Sequence, residues 1–143
     1  MPTPEFRTDG YLPVGVHVAT EAEVLFRFGS PTRRRRSLAL RLRHWLELAR
    51  AVGGLRFLVD GSFVTSKPQP RDLDAVILLG PAFEQQVWAE NQAALELHQI
   101  SAMRRPEDLF LAEDLSDWDN WCEFFTRTRE ADGRRKGIVE IVL

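Results

Sequence analysis

Phe57-Leu58-Val59-Asp60-Gly61-Ser62, followed ten residues later by Asp72-Leu73-Asp74 and the apolar run 75–79, decides the reading of this chain. A hydrophobic strand runs into Gly-Ser, and a second hydrophobic strand opens with two carboxylates at alternate positions. Side chains alternate faces along a strand, so Asp72 and Asp74 share a face while Leu73 and Ala75 enter the core. Two carboxylates at ~4 Å repel by about 4 kcal/mol at an effective dielectric of roughly 20. A divalent cation removes that cost. The pattern reads as a metal site beside a phosphate-binding turn, which is the chemistry of nucleotidyl transfer.

Outward from this stretch, the spacing predicts a small mixed sheet flanked by helices. Residues 1–20 carry Pro2, Pro4, Gly10, Pro13 and Gly15 and read as an irregular arm. Thr20 and Glu23 have capping-box spacing ahead of a short helix that Gly29 ends. Ser30-Pro31 is an N-cap and first-turn pair for a longer helix, whose stripe is Leu38, Leu42, Trp45, Leu46 and Ala49. Strands are expected over 55–60, 73–79 and 137–143, with a further apolar stretch at 109–112. Pro68 and Pro70 confine any helix starting at Ser62 to about one turn. Helical spacing recurs over 82–99 and 116–126. The class is α/β or α+β.

The chain has 143 residues, 44% hydrophobic and 28% charged, which fits one domain. It divides into an N-terminal arm and helices over 1–54 and a catalytic-type core over 55–143. The single cysteine, Cys122, excludes an intramolecular disulfide and suits a reducing cytoplasm. No apolar run approaches the ~18 residues of a membrane span. A net charge of −2 offers no global case for nucleic-acid binding.

Nucleotidyl transfer needs a held triphosphate and two metal ions that clamp the attacking and leaving oxygens. Gly61 allows close backbone approach to a phosphate, and Ser62 offers its hydroxyl and N–H at the start of a helical turn. Asp72 and Asp74 supply hard oxygen ligands suited to magnesium. Arg71 precedes the pair and is placed to offset its charge or touch a triphosphate.

Gly61-Ser62, nine intervening residues, Asp72-x-Asp74 and the hydrophobic strand that follows resemble the DNA polymerase beta-type nucleotidyltransferase superfamily, most closely its minimal bacterial members. Leu12-Pro13-x-Gly15-x-His17, Arg27-Phe28-Gly29, Asp60 through Thr65 and Lys136-Gly137-Ile138-Val139 resemble a bacterial family of unknown function assigned to that superfamily. The first resemblance covers residues 57–79 and the second nearly the whole chain. Together they imply a magnesium-dependent transferase with a nucleoside triphosphate as substrate and two Mg2+ ions. They also imply Asp72 and Asp74 as metal ligands, Ser62 as phosphate contact and a third aspartate at the head of a later strand. Asp108 fits that context best, ahead of Glu140, and would help activate the attacking hydroxyl. Minimal members often act as antitoxins or in phage defence, so the implied acceptor is a partner protein such as a toxin, or an RNA. Two positions depart from the pattern: Ser66 stands where glycine is frequent, and Arg71 where serine is.

Other features carry competing readings. Arg33 to Arg36 and Arg134-Arg135-Lys136 are either solvated faces or patches for an acidic partner or a nucleic-acid backbone. Cations at a helix start oppose the dipole, so something must reward the first block. Arg104-Arg105 is a loop or a triphosphate contact. His17, His44 and His98 have no metal-ligand spacing. Trp118 and Trp121 are either packing or a partner-binding edge. The alternatives to an enzyme are a non-catalytic binding or antitoxin module on the same fold, and a nucleic-acid binder acting through its arginines.

Overall fold

A computed structural model of the chain describes residues 3–103 and 109–143. Five strands form one mixed sheet: β1 (Gly15–Ala19), β2 (Arg56–Asp60), β3 (Asp74–Leu78), β4 (Leu109–Ala112) and β5 (Gly137–Ile141). Their spatial order is β1-β5-β2-β3-β4. β2 runs antiparallel to both neighbours, whereas β1 with β5 and β3 with β4 are parallel. The fold is α+β.

The helices α1 (Glu21–Arg27), α2 (Arg33–Ala51), α3 (Phe83–Trp88) and α4 (Gln92–Ala102) cover one face, and α5 (Leu115–Phe125) covers the other. The period-two alternation of the strands divides the core accordingly. Phe57, Val59, Ala75, Ile77, Val139 and Ile141 pack with α1, α2 and α4. Leu58, Val76, Leu78 and Ile138 pack with Trp118 and Phe125 of α5. Burial on both faces is why β2 and β3 read as continuous apolar runs rather than alternating ones.

Three expectations change. The N-terminal arm contains β1, which pairs with β5 as an edge strand and leaves Val16 and Val18 exposed. The long helix is capped by Thr32, whose hydroxyl accepts from the Arg35 N–H, while the Ser30 hydroxyl donates to the Phe26 carbonyl at the end of α1. The 82–99 stripe is two helices. Glu90 adopts a left-handed conformation (φ 58°), and the Asn91 side chain accepts from Ala94 N–H to start α4. A continuous apolar stripe spans that break because both helices face the same core.

The α1 capping box forms as expected, with Thr20 and Glu23 exchanging bonds. None of the described helices is long and apolar enough to cross a membrane.

Candidate functional site

β2 ends at Asp60, and the chain turns through Gly61 into a single 3-10 turn over Ser62–Val64. Asp60 and Asp74 are register partners across the β2–β3 ladder, so their side chains share the α5 face at one end of the sheet. Asp72 lies two residues before β3 opens out of the loop and alternates onto the same side. Gly61 adopts φ 88°, ψ −177°, a region open almost only to glycine. A Cβ there would stand 2.9 Å from the Asp72 carbonyl oxygen and 3.1 Å from Asp74 Oδ2. The glycine therefore brings the turn down onto both carboxylates. Gly61→Ala is expected to cost about 2 kcal/mol or more, from the backbone strain and the contact with Asp72. Urea denaturation reads this, and a change under ~0.5 kcal/mol would mean the turn relaxes freely.

Ser62 organises Asp72. Its hydroxyl donates to Asp72 Oδ1 and accepts from the N–H groups of Arg71 (2.9 Å) and Asp72 (3.1 Å), while its own N–H donates to Asp72 Oδ1 at 2.9 Å. Burial pushes the Asp72 carboxyl up, but these Ser62 bonds outweigh it and hold the group below its ordinary value. The Ser62 hydroxyl thus joins the Asp72 carboxylate to the backbone of the loop that leads into β3.

The three carboxylates are not equivalent. Asp60 is 3% exposed, and its Oδ1 accepts from the ammonium of Lys136, which is 8% exposed and immediately precedes β5. Burial pushes Asp60 up to about 6, with Lys136 pulling the other way. Asp72, half-buried, and Asp74, 7% exposed, line the same cleft, of about 1290 Å3. Lys67, Arg71, Arg127 and Arg129 also line it, with Lys136, which bonds Asp60. The remaining wall is aromatic. Phe110 and Trp121 lie 4.2 Å apart between ring centroids, and Phe124, 54% exposed, meets Trp121 edge-on. Such rings offer a stacking surface for a flat ligand.

Arg71 is exposed on the cleft rim, as a triphosphate contact requires. Asp108 lies outside the described residues, as do Glu107 and the Arg104-Arg105 pair. Glu140 is not in the cleft: it accepts a two-pronged bond from Arg56 at 2.8 and 2.6 Å, and that guanidinium also lies 4.8 Å over the Trp118 ring. Trp118 is core, and only Trp121 of the pair reaches the cleft. Burial raises the Cys122 thiol to about 11, which suits packing and not a nucleophile.

Asp72 and Asp74 fit a hard divalent cation by donor chemistry. Among the described residues no set of three acids, histidines or cysteines gathers as a metal cage.

Within the arginine blocks, Arg34 and Arg35 turn inward, whereas Arg33, Arg36, Arg134 and Arg135 are exposed. Arg34 donates to the Pro70 and Arg71 carbonyls at 2.8 and 2.7 Å. Arg35 is buried and reaches the Phe28, Phe63, Thr65 and Lys67 carbonyls at 2.5–3.1 Å. Arg134 pairs with Asp132 and Asp9, and Arg135 with Glu123. Ser66, where glycine was anticipated, fits because Gly10 (φ 86°) leaves room: a Cβ at Gly10 would stand 2.7 Å from the Ser66 hydroxyl.

Sequence reasoning missed Asp60, Lys136 and the aromatic wall as parts of the cleft. Asp60 had a signal in a charge closing an otherwise apolar strand. Lys136, before Gly137, read as one more surface cation.

Residues 4–142 match a family of unknown function (DUF6932), and the chain belongs to that family. No curated protein and no solved structure matches it.

Proposed function

We propose that this DUF6932 member is a magnesium-dependent nucleotidyltransferase that moves a nucleoside monophosphate from a triphosphate to a hydroxyl of a protein or RNA acceptor. One observation carries the reading: Asp72 and Asp74 line one cleft with the Gly61–Ser62 turn and with Lys67, Arg71, Arg127, Arg129 and Lys136. Magnesium, when bound, would supply the positive charge that offsets the triphosphate and the leaving pyrophosphate. The chain's own residues do the rest. Asp72 and Asp74 would hold the ions, and Ser62 keeps Asp72 ionised and oriented. Lys67 and Arg71 draw the phosphate tail to their rim. The Phe110–Trp121 wall takes the base by stacking. The acceptor oxygen forms a bond to the α-phosphorus, the bond to the β-phosphate oxygen breaks, pyrophosphate leaves and the hydroxyl proton passes to water.

A second reading is a nucleotide- or partner-binding module without transfer. The engagement of the Ser62 hydroxyl by Asp72 favours it.

The test is thermal stability with each nucleoside triphosphate, with and without magnesium. A ligand that binds only the folded chain at a hundredfold excess over its dissociation constant adds about 2.7 kcal/mol. A magnesium-dependent rise supports the site, and no rise with any triphosphate overturns both readings that need a nucleotide.

A further inference from the structure

We propose that Lys136 is the anion anchor of the cleft, its ammonium binding a phosphoryl oxygen of the bound nucleotide, with Asp60 as the group that positions it. This rests on the nucleotidyl-transfer reading. An ammonium has three N–H donors. One goes to Asp60, and among the described residues Lys136 Nζ makes no other hydrogen bond. The remaining donors belong to a side chain that lines the cleft beside Asp72 and Asp74. Stability alone explains such a pair poorly, because withdrawing two charges from water commonly costs more than their attraction returns. A ligand oxygen at the unused donors supplies the missing compensation.

The backbone around Lys136 is fixed from both sides, as an anchor requires. Its N–H donates to the Thr126 carbonyl beyond α5 at 2.9 Å, and the next N–H, of Gly137, donates to the Leu12 carbonyl at 2.9 Å. A Cβ at Gly137 would stand 2.1 Å from the Pro13 carbonyl oxygen and 2.7 Å from His17 Nε2. His17 in turn bonds the Pro13 carbonyl at 2.6 Å. The Leu12-Pro13-x-Gly15-x-His17 segment and Lys136-Gly137 therefore meet, and their meeting sets where the ammonium stands. Asp60, from β2, holds the ammonium at the cleft instead of letting it turn outward.

The bland account is that Lys136 only neutralises Asp60. The two accounts part in the double variant Asp60→Asn, Lys136→Met, which removes both charges and leaves no buried lone ion. Calorimetric titration of wild type and double variant uses inorganic tripolyphosphate, each nucleoside triphosphate and the matching nucleosides, with melting temperatures recorded alongside. The expected result is a folded double variant whose affinity for tripolyphosphate and for the triphosphate falls at least ~10-fold, the loss of one charge-assisted bond. Nucleoside binding stays unchanged. A folded double variant that binds triphosphate as wild type does overturns the anchor and leaves the nucleotidyl-transfer reading standing. Wild type that binds no triphosphate overturns that reading instead, and the anchor with it.

Discussion

Asp74→Asn is expected to abolish the magnesium-dependent stabilisation by triphosphate and to lower transfer at least ~100-fold while the chain stays folded. Asp74 begins β3 opposite Asp60, with Gly61 pressed against its Oδ2. Asparagine keeps the volume and shape, so the Gly61 turn and the β2–β3 register have no reason to move. What is lost is one formal charge and one anionic oxygen of the proposed metal-holding pair. Metal clamping of the displaced oxygens contributes several kcal/mol, and about 3 kcal/mol corresponds to ~100-fold in rate. Melting curves with and without magnesium and triphosphate, beside a transfer assay, read both effects. A variant that keeps its magnesium-dependent shift would remove Asp74 from the metal site.

The legible part of this chain was the part whose side chains answer to one local rule. Two apolar runs, a glycine that must turn and two acids at period two located β2, the turn and β3, and the structure brings Gly61, Ser62, Arg71, Asp72 and Asp74 to one cleft. The capping box of α1 was legible for the same reason, since three residues settle it. β1 was hidden because an edge strand leaves Val16 and Val18 exposed, so no buried periodicity distinguishes it from an arm. Its partner β5 lies more than a hundred residues away in sequence. The α3–α4 break turns on Glu90 and Asn91, whose effect is conformational and leaves the apolar stripe intact. Lys136 was misread for a related reason: a lysine beside two arginines looks like a surface patch until the fold supplies Asp60.

The arginine block at 33–36 shows how a charge run can hide an internal member, Arg35, and that residue sets the largest expected loss of stability. Arg35→Leu is expected to cost about 3 kcal/mol or more. The Arg35 guanidinium is buried, among the described residues it bonds carbonyls and no carboxylate, and burial pulls its pKa down. Its reward is four carbonyls: Nη1 serves Phe28 and Phe63, and Nη2 serves Thr65 and Lys67. Leucine abolishes the desolvation cost of the cation but supplies no donor. The Phe28, Phe63 and Thr65 residues are buried, and a buried acceptor left unsatisfied costs ~1–3 kcal/mol. Three such losses outweigh the relief of returning one cation to water. In a chain of this size that lowers the melting temperature by about 10 °C. Lysine at the same position keeps the charge but concentrates its donors on one nitrogen, which cannot serve carbonyls gathered at the two ends of a fork, so Arg35→Lys should recover only part of the loss. The carbonyls that Arg35 grips bracket the start of the 65–71 loop, and Arg34 grips its end at Pro70 and Arg71, next to Asp72. Loosening the clamp should therefore weaken magnesium-dependent triphosphate binding as well, though no arginine of the clamp lines the cleft. Urea denaturation and triphosphate titration of Arg35→Leu and Arg35→Lys read the two effects separately. A stability loss under ~1 kcal/mol for leucine would mean that water reaches those carbonyls and that the loop is held by something other than the clamp.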